Sequence, residues 1–122
     1  MDYRQLVRML AAGRVVVGAT LTLAPGFAGG QWIGEVAKRP EAKVMIRAMG
    51  ARDMALGAGA LKALESGEPA RTWVLMGALS DAVDFVATAV TLRRLGARRA
   101  LPVLIVAATA ATLGAIAADQ LD

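Results

Sequence analysis

The sequence predicts an all-α fold, a membrane-embedded four-helix bundle, on three observations. Four long apolar stretches divide the chain, and short segments rich in Pro, Gly and Arg separate them. In addition, 57 % of the residues are hydrophobic and the mean hydropathy is +0.52. That share exceeds the roughly 45–50 % of an ordinary soluble domain. A length of 122 residues leaves room for one domain, residues 1–122.

The spans follow in chain order. Residues 6–24 form the first, ended by "APGFAGGQW" and carrying Arg14 near its midpoint. Residues 25–41 connect it to the second, and within them Gln31 to Lys38, with Trp32, reads as a short interfacial piece. The second span, residues 42–65, opens after "KRPE" and contains Arg47, Arg52 and Asp53. The third, residues 72–92, follows the turn signal "ESGEPARTW" and carries Asp81 and Asp84. The fourth, residues 100–118, reads "ALPVLIVAATAATLGAIAA". It is an uncharged stretch long enough for a hydrocarbon core of ~30 Å, with Pro102 expected in its first turn, where a missing N–H costs little. Arg4 and Arg8 precede an apolar run as in a signal peptide. Arg14 interrupts that run and no A-x-A site follows it, so an uncleaved N-terminus is expected.

Composition excludes several function classes. The absence of Cys and His removes disulfides, thiolate chemistry, the commonest metal ligand and the usual general base. We therefore expect no metal site and no cofactor. A net charge of +4 and a pI near 10.3 are compatible with nucleic acid, but aromatics make up only 4 % of the chain and the cations sit at the ends of apolar runs. That placement matches a multi-pass protein of the plasma membrane. Lys38, Arg39, Lys43, Arg93, Arg94, Arg98 and Arg99 flank one side, against Arg4, Arg8, Lys62 and Arg71 on the other. The bias predicts that loops 25–41 and 93–99 are cytoplasmic. Arg93, Arg94, Arg98 and Arg99 read as a topology anchor, with binding of anionic lipid head groups as a secondary use.

Charges inside the spans are the main functional evidence, because each costs ~2.5 to 3.5 kcal/mol at a helix centre. Depth matching across an antiparallel hairpin near Glu68 brings Asp84 level with Arg52 and Asp53, and reflection through the first loop brings Arg14 to the same level. Arg47 falls roughly 7 to 8 Å toward the first loop and Asp81 about one turn the other way. We expect Arg14, Arg47, Arg52, Asp53, Asp81 and Asp84 to form one electrically neutral cluster. Arg52 and Asp53 are adjacent and point ~100° apart, so they are expected to face different neighbours rather than each other. Asp81, Asp84, Thr88 and Thr91 draw an inward polar stripe on the third span. Small residues at four-residue spacing, Ala51, Ala55, Gly59 and Ala63 with Ala107, Ala111 and Ala115, are expected to line close helix contacts.

Arg14 with Gly18, "AP" and "QWIG" after it, "RAMGARDMALG" on the second span and "DAVDF" on the third resemble a family of small four-span membrane proteins. This family is frequent in actinobacteria and catalogued as a domain of unknown function. The likeness covers nearly the whole chain. Its most specific part is R-x-x-G-x-R-D-x-x-x-G, here Arg47, Gly50, Arg52, Asp53 and Gly57. It implies the four-span fold and no reaction.

Two functional readings stay open. In one, the Arg/Asp network is structural and the protein is an interaction bundle whose partners are the bilayer and either another membrane protein or a second copy. In the other, the cluster is a membrane-embedded acid–base enzyme or binding site. Asp53, Asp81 and Asp84 would then be catalytic, with Arg14, Arg47 and Arg52 binding the head of a lipophilic, isoprenoid or quinone-like ligand. The chain is similar in size and span number to small multidrug-resistance exporters, but its first span offers Arg14 where their mechanism needs an acid. That difference argues against transport.

Overall fold

A computed structural model describes residues 2–121, and every element among them is helical. Helix α1 (Tyr3–Leu23) starts at Asp2, whose carboxylate accepts from the backbone N–H of Arg4 and Gln5. It stops at Ala24, because the following proline disfavours α geometry in the residue before it. Pro25 then serves as the first residue of α2 (Pro25–Ile33), which continues into a 3₁₀ turn, Gly34–Lys38. Gly34, at φ +76°, makes the break between the two. The interfacial piece expected between Gln31 and Lys38 is thus part of a helical connector that fills most of the first loop.

Helix α3 (Pro40–Ser66) again begins with proline. It ends at left-handed Gly67, where the N–H groups of Gly67 and Glu68 both reach the carbonyl of Ala63. After four residues α4 (Arg71–Val90) returns, followed by the short α5 (Leu92–Leu95), Gly96 and α6 (Ala97–Gln120). The last helix starts three residues earlier than the sequence reading placed it. Gly96, at φ +81°, makes the break, which puts Pro102 in the second turn instead of the first.

Helices α1, α4 and α6 are long and apolar enough to cross a membrane. Helix α3 is the longest at 27 residues but carries too many charges to join them. The four long helices pack as a ring. Its most extensive contacts are α1 on α3 and α4 on α6, closed by α3 on α4 and α1 on α6.

One register runs through all four. Buried positions along the seam are Val7, Ala11, Gly18 and Leu21 on α1 and Ile46, Gly50, Asp53, Gly57, Ala60 and Leu64 on α3, with Ala63 buried beside it. Val74, Ala78, Asp81 and Thr88 follow on α4, and Ala100, Ala107, Gly114 and Ala117 on α6, with Gly77 and Ala118 buried beside them. The steps are three, four or their sum of seven, as in a coiled-coil seam. This corrects the four-residue ladders. Ala51, Ala55 and Ala115 are exposed, and only parts of those rows, such as Ala63 and Ala107, face inward. A helix turns 100° per residue, so each four-residue step drifts by roughly 40°, whereas a seven-residue step drifts only about 20°. The contacts that bring backbones together are Gly18 against Gly50 and Gly57 against Ala11. A Cβ built on Gly18 would lie 2.5 Å from the Gly50 carbonyl oxygen, and one on Gly57 would lie 2.6 Å from that of Ala11.

Two apolar clusters fill the interior. The larger joins Val7, Ala60, Leu64, Val74, Ala117 and their neighbours at the end holding the α3–α4 turn. The smaller joins Leu21, Ala37 and Ile46 under the connector.

Candidate functional site

Arg14, Asp53 and Asp81 occupy seam positions of α1, α3 and α4 between the two apolar clusters, so the register that buries leucine and alanine elsewhere turns these side chains toward one another. Arg14 meets Asp81 with both Nη atoms, one to each carboxylate oxygen, at 3.1 and 2.5 Å. This two-pronged pairing suits the planar guanidinium. Gly77 lies one turn before Asp81, and a Cβ built there would sit 3.0 Å from the Arg14 guanidinium. Its missing side chain gives Arg14 its path along α4.

From Arg14 the charges continue outward. Its Nη1 lies 3.6 Å from Asp53 Oδ1, and the same oxygen accepts from Arg52 Nη2 at 3.1 Å and Nε at 3.3 Å. Arg52 Nη2 also reaches Asp84 Oδ2 at 3.5 Å. The order is Asp81, Arg14, Asp53, Arg52, Asp84, a run of alternating sign tying α1, α3 and α4 together. Side-chain exposure is 9 % at Asp53, 12 % at Asp81 and 14 % at Arg14, rising to 19 % at Asp84 and 34 % at Arg52. The inner members are closed off, whereas the Arg52–Asp84 end opens at the α3–α4 edge.

Four expectations are corrected here. Arg47 is not in the cluster; it is exposed and donates from Nε to the Thr22 carbonyl at 3.1 Å, near the end of α1. Its position five residues before Arg52 places it more than a turn nearer the connector, where a last-turn helix carbonyl is a better partner than a distant carboxylate. The remaining five residues comprise two arginines and three aspartates, so the set carries one excess negative charge and is not neutral. Arg52 and Asp53 do pair, because the long guanidinium stem swings back across the angle between neighbouring side chains, while each also keeps a second partner on another helix. The polar stripe of α4 holds for Asp81 and Thr88, is half-buried at Asp84 and fails at Thr91, which is exposed and bonds back to the Ala87 carbonyl.

The tryptophans behave differently from each other. Trp32 donates its indole N–H to Thr88 Oγ1 at 3.0 Å, clamping the connector to α4. Trp73 is exposed near the opposite end, with its ring lying over Gly59. Sequence reasoning missed the role of Gly77, which its place one turn before an aspartate could have flagged. It also missed the Trp32–Thr88 bond, for which spacing carries no signal.

What the arrangement can do chemically is limited. A guanidinium keeps its proton, and each carboxylate of the run has an arginine within 3.6 Å. Among the described residues no cluster of carboxylates converges to hold a metal ion, and no buried side-chain polar atom lacks a hydrogen-bond partner. The cavity beside Arg14, walled by Val7, Leu10, Gly57, Val74 and Gly114, measures about 20 Å³. That is room for about one water molecule.

Comparison with family models, curated proteins and solved structures finds no match, so the site is read from its own geometry.

Proposed function

We propose that this chain is a multi-pass protein of a bacterial plasma membrane, a four-helix membrane bundle. Its arginine–aspartate run locks the helices in register, so that the bundle serves as a structural or interaction unit for another membrane protein or a second copy. In this reading α3 is the fourth span. Its three interior charges would oppose insertion by roughly 8 to 10 kcal/mol if unpaired. Packing beside α1 and α4 gives Arg52 and Asp53 their partners, and the Arg47 stem can carry its head group toward the connector-end interface. The length and apolar composition of α1, α4 and α6 support this fold. The excess of cations on the connector side supports a cytoplasmic position for that side.

The observation that carries the proposal is the unbroken sequence Asp81–Arg14–Asp53–Arg52–Asp84 across three helices. Buried ionic groups of this kind can set helix register even when they add little net stability. The alternative, a site for the polar head of a lipophilic isoprenoid or quinone-like ligand, draws on the partial exposure of Arg52 and Asp84. It stands second because the cavity next to the buried part of the run is far smaller than such a ligand.

The test substitutes Arg14→Gln and Asp53→Asn separately. Each variant is then assayed for unfolding in detergent and for pull-down of membrane partners from cross-linked host membranes. A structural lock predicts loss of stability and of partner capture together. Wild-type stability with full partner capture in both variants would refute it.

A further inference from the structure

We infer that the connector end of the protein is a docking surface for the phosphate head groups of anionic phospholipids. The inference rests on the membrane-embedded reading above. Seven cations, Lys38, Arg39, Lys43 and the four arginines between Arg93 and Arg99, gather on this end with only Glu35 and Glu41 against them. The opposite end has Arg4, Arg8, Lys62 and Arg71 among Asp2, Glu65, Glu68 and Asp119.

The two ends also use their arginines differently. Away from the connector, Arg4 donates to the Leu64 carbonyl at 2.9 Å and Arg71 to the Ala118 carbonyl at 2.8 Å, so both neutralise the carboxyl ends of neighbouring helices. At the connector end Lys38 pairs with Glu35 at 3.2 Å. Among the described residues Arg93, Arg94, Arg98 and Arg99 make no side-chain hydrogen bond or ion pair, and Arg93, Arg94 and Arg98 stand exposed on α5 and the first turn of α6. Arg99 lies across Gly34, with its guanidinium within 3.3 Å of where a Cβ would sit, so the connector and the start of α6 meet under the same cations.

Exposed apolar side chains sit on the connector and on the start of α6, the elements that meet at Gly34 and Arg99. Phe27 on α2 is 65 % exposed, Val36 in the 3₁₀ turn 44 % and Leu101 on α6 49 %. Unpaired guanidinium groups beside exposed apolar side chains match the layering of a phospholipid leaflet, with phosphates outside and acyl chains directly behind them. A nucleic acid would satisfy the cations and leave Phe27, Val36 and Leu101 in water.

The test places the full-length protein in nanodiscs of phosphatidylglycerol and phosphatidylcholine in equal amounts and measures the lipids that stay bound on gentle release, by native mass spectrometry. Incorporation into the disc tests the membrane reading separately; a protein that stays in solution without detergent or lipid would refute that reading and this inference with it. Given incorporation, phosphatidylglycerol is expected to be enriched about fivefold or more among retained lipids. The triple substitution Arg93→Gln, Arg94→Gln, Arg98→Gln should bring the ratio close to one. The control triple Arg4→Gln, Arg8→Gln, Lys62→Gln, which removes the same charge from the opposite end, should keep most of the enrichment. Equal retention of both lipids by the unsubstituted protein, or enrichment that survives the α5–α6 triple, would overturn the inference, as would displacement of the bound lipid by an oligonucleotide.

Discussion

Arg14 on α1 and Asp81 on α4 are joined by two hydrogen bonds at 3.1 and 2.5 Å, across 67 positions of sequence and between helices that are not consecutive in the chain. Burial leaves neither group much water, so each is the other's main source of solvation. Removing either partner alone should lower stability by about 3 to 5 kcal/mol, because an uncompensated charge remains inside. Replacing both with apolar residues of similar size, Arg14→Met with Asp81→Leu, should cost clearly less than the sum of the single changes. A double-mutant cycle on unfolding in detergent micelles measures that difference.

Gly77 should couple to the same pair. Adding a methyl group in Gly77→Ala pushes on the Arg14 guanidinium, which a built Cβ approaches to 3.0 Å. We expect a loss of about 1 to 2 kcal/mol in the native sequence. The loss should be smaller when Asp81→Asn has already released Arg14. Equal losses in the two backgrounds would show that Gly77 acts on something else.

The α1–α3 contact predicts a sharp contrast among glycines. Gly50→Ala brings its Cβ to 2.5 Å from the Gly18 carbonyl oxygen, so the helices must part, and a loss of about 1 to 3 kcal/mol is expected. Gly13→Ala meets nothing within 4 Å and should gain up to about 1 kcal/mol through helix propensity. Thermal unfolding of the two single variants side by side checks this.

Along the charge run, position should outweigh residue type. Asp53 touches both arginines, and Asp53→Asn should cost about 2 kcal/mol or more. Asp84 reaches only Arg52, at 3.5 Å, and its substitution by Asn removes the excess negative charge, so Asp84→Asn should stay within about 0.5 kcal/mol of the native protein. Arg47→Gln, outside the run and exposed, should behave like Asp84→Asn. Unfolding midpoints that rank Asp84→Asn below Asp53→Asn would contradict the order of the run.

The helices themselves were readable in the residues. Pro25, Pro40 and Gly67 punctuate the chain through rules that act on one or two neighbouring residues, and apolar runs such as 100–118 announce helices whatever they pack against. Depth along each helix was partly readable, since a rise of 1.5 Å per residue needs no partner: Arg14 and Asp53 lie within 3.6 Å, whereas Asp81, expected a turn away, is the residue that Arg14 pairs with. The choice between the Ala51–Ala55 row and the Gly50–Gly57 row was harder to read. Both are small-residue rows on α3 that point ~100° or more apart, and which of the two faces inward depends on how α3 is rotated against α1.

Sequence therefore established which segments are helical, where the charges fall along them, and that those charges need partners, because backbone sterics and hydrogen-bond geometry are local properties. The pairing itself came from the packed ring. Arg47 leaves the cluster for the Thr22 carbonyl, Arg52 turns back onto Asp53, and Gly77 clears the way for Arg14. Each of these outcomes depends on the rotation of one helix against another, and that angle is set by the sum of many side-chain contacts rather than by any single stretch of chain.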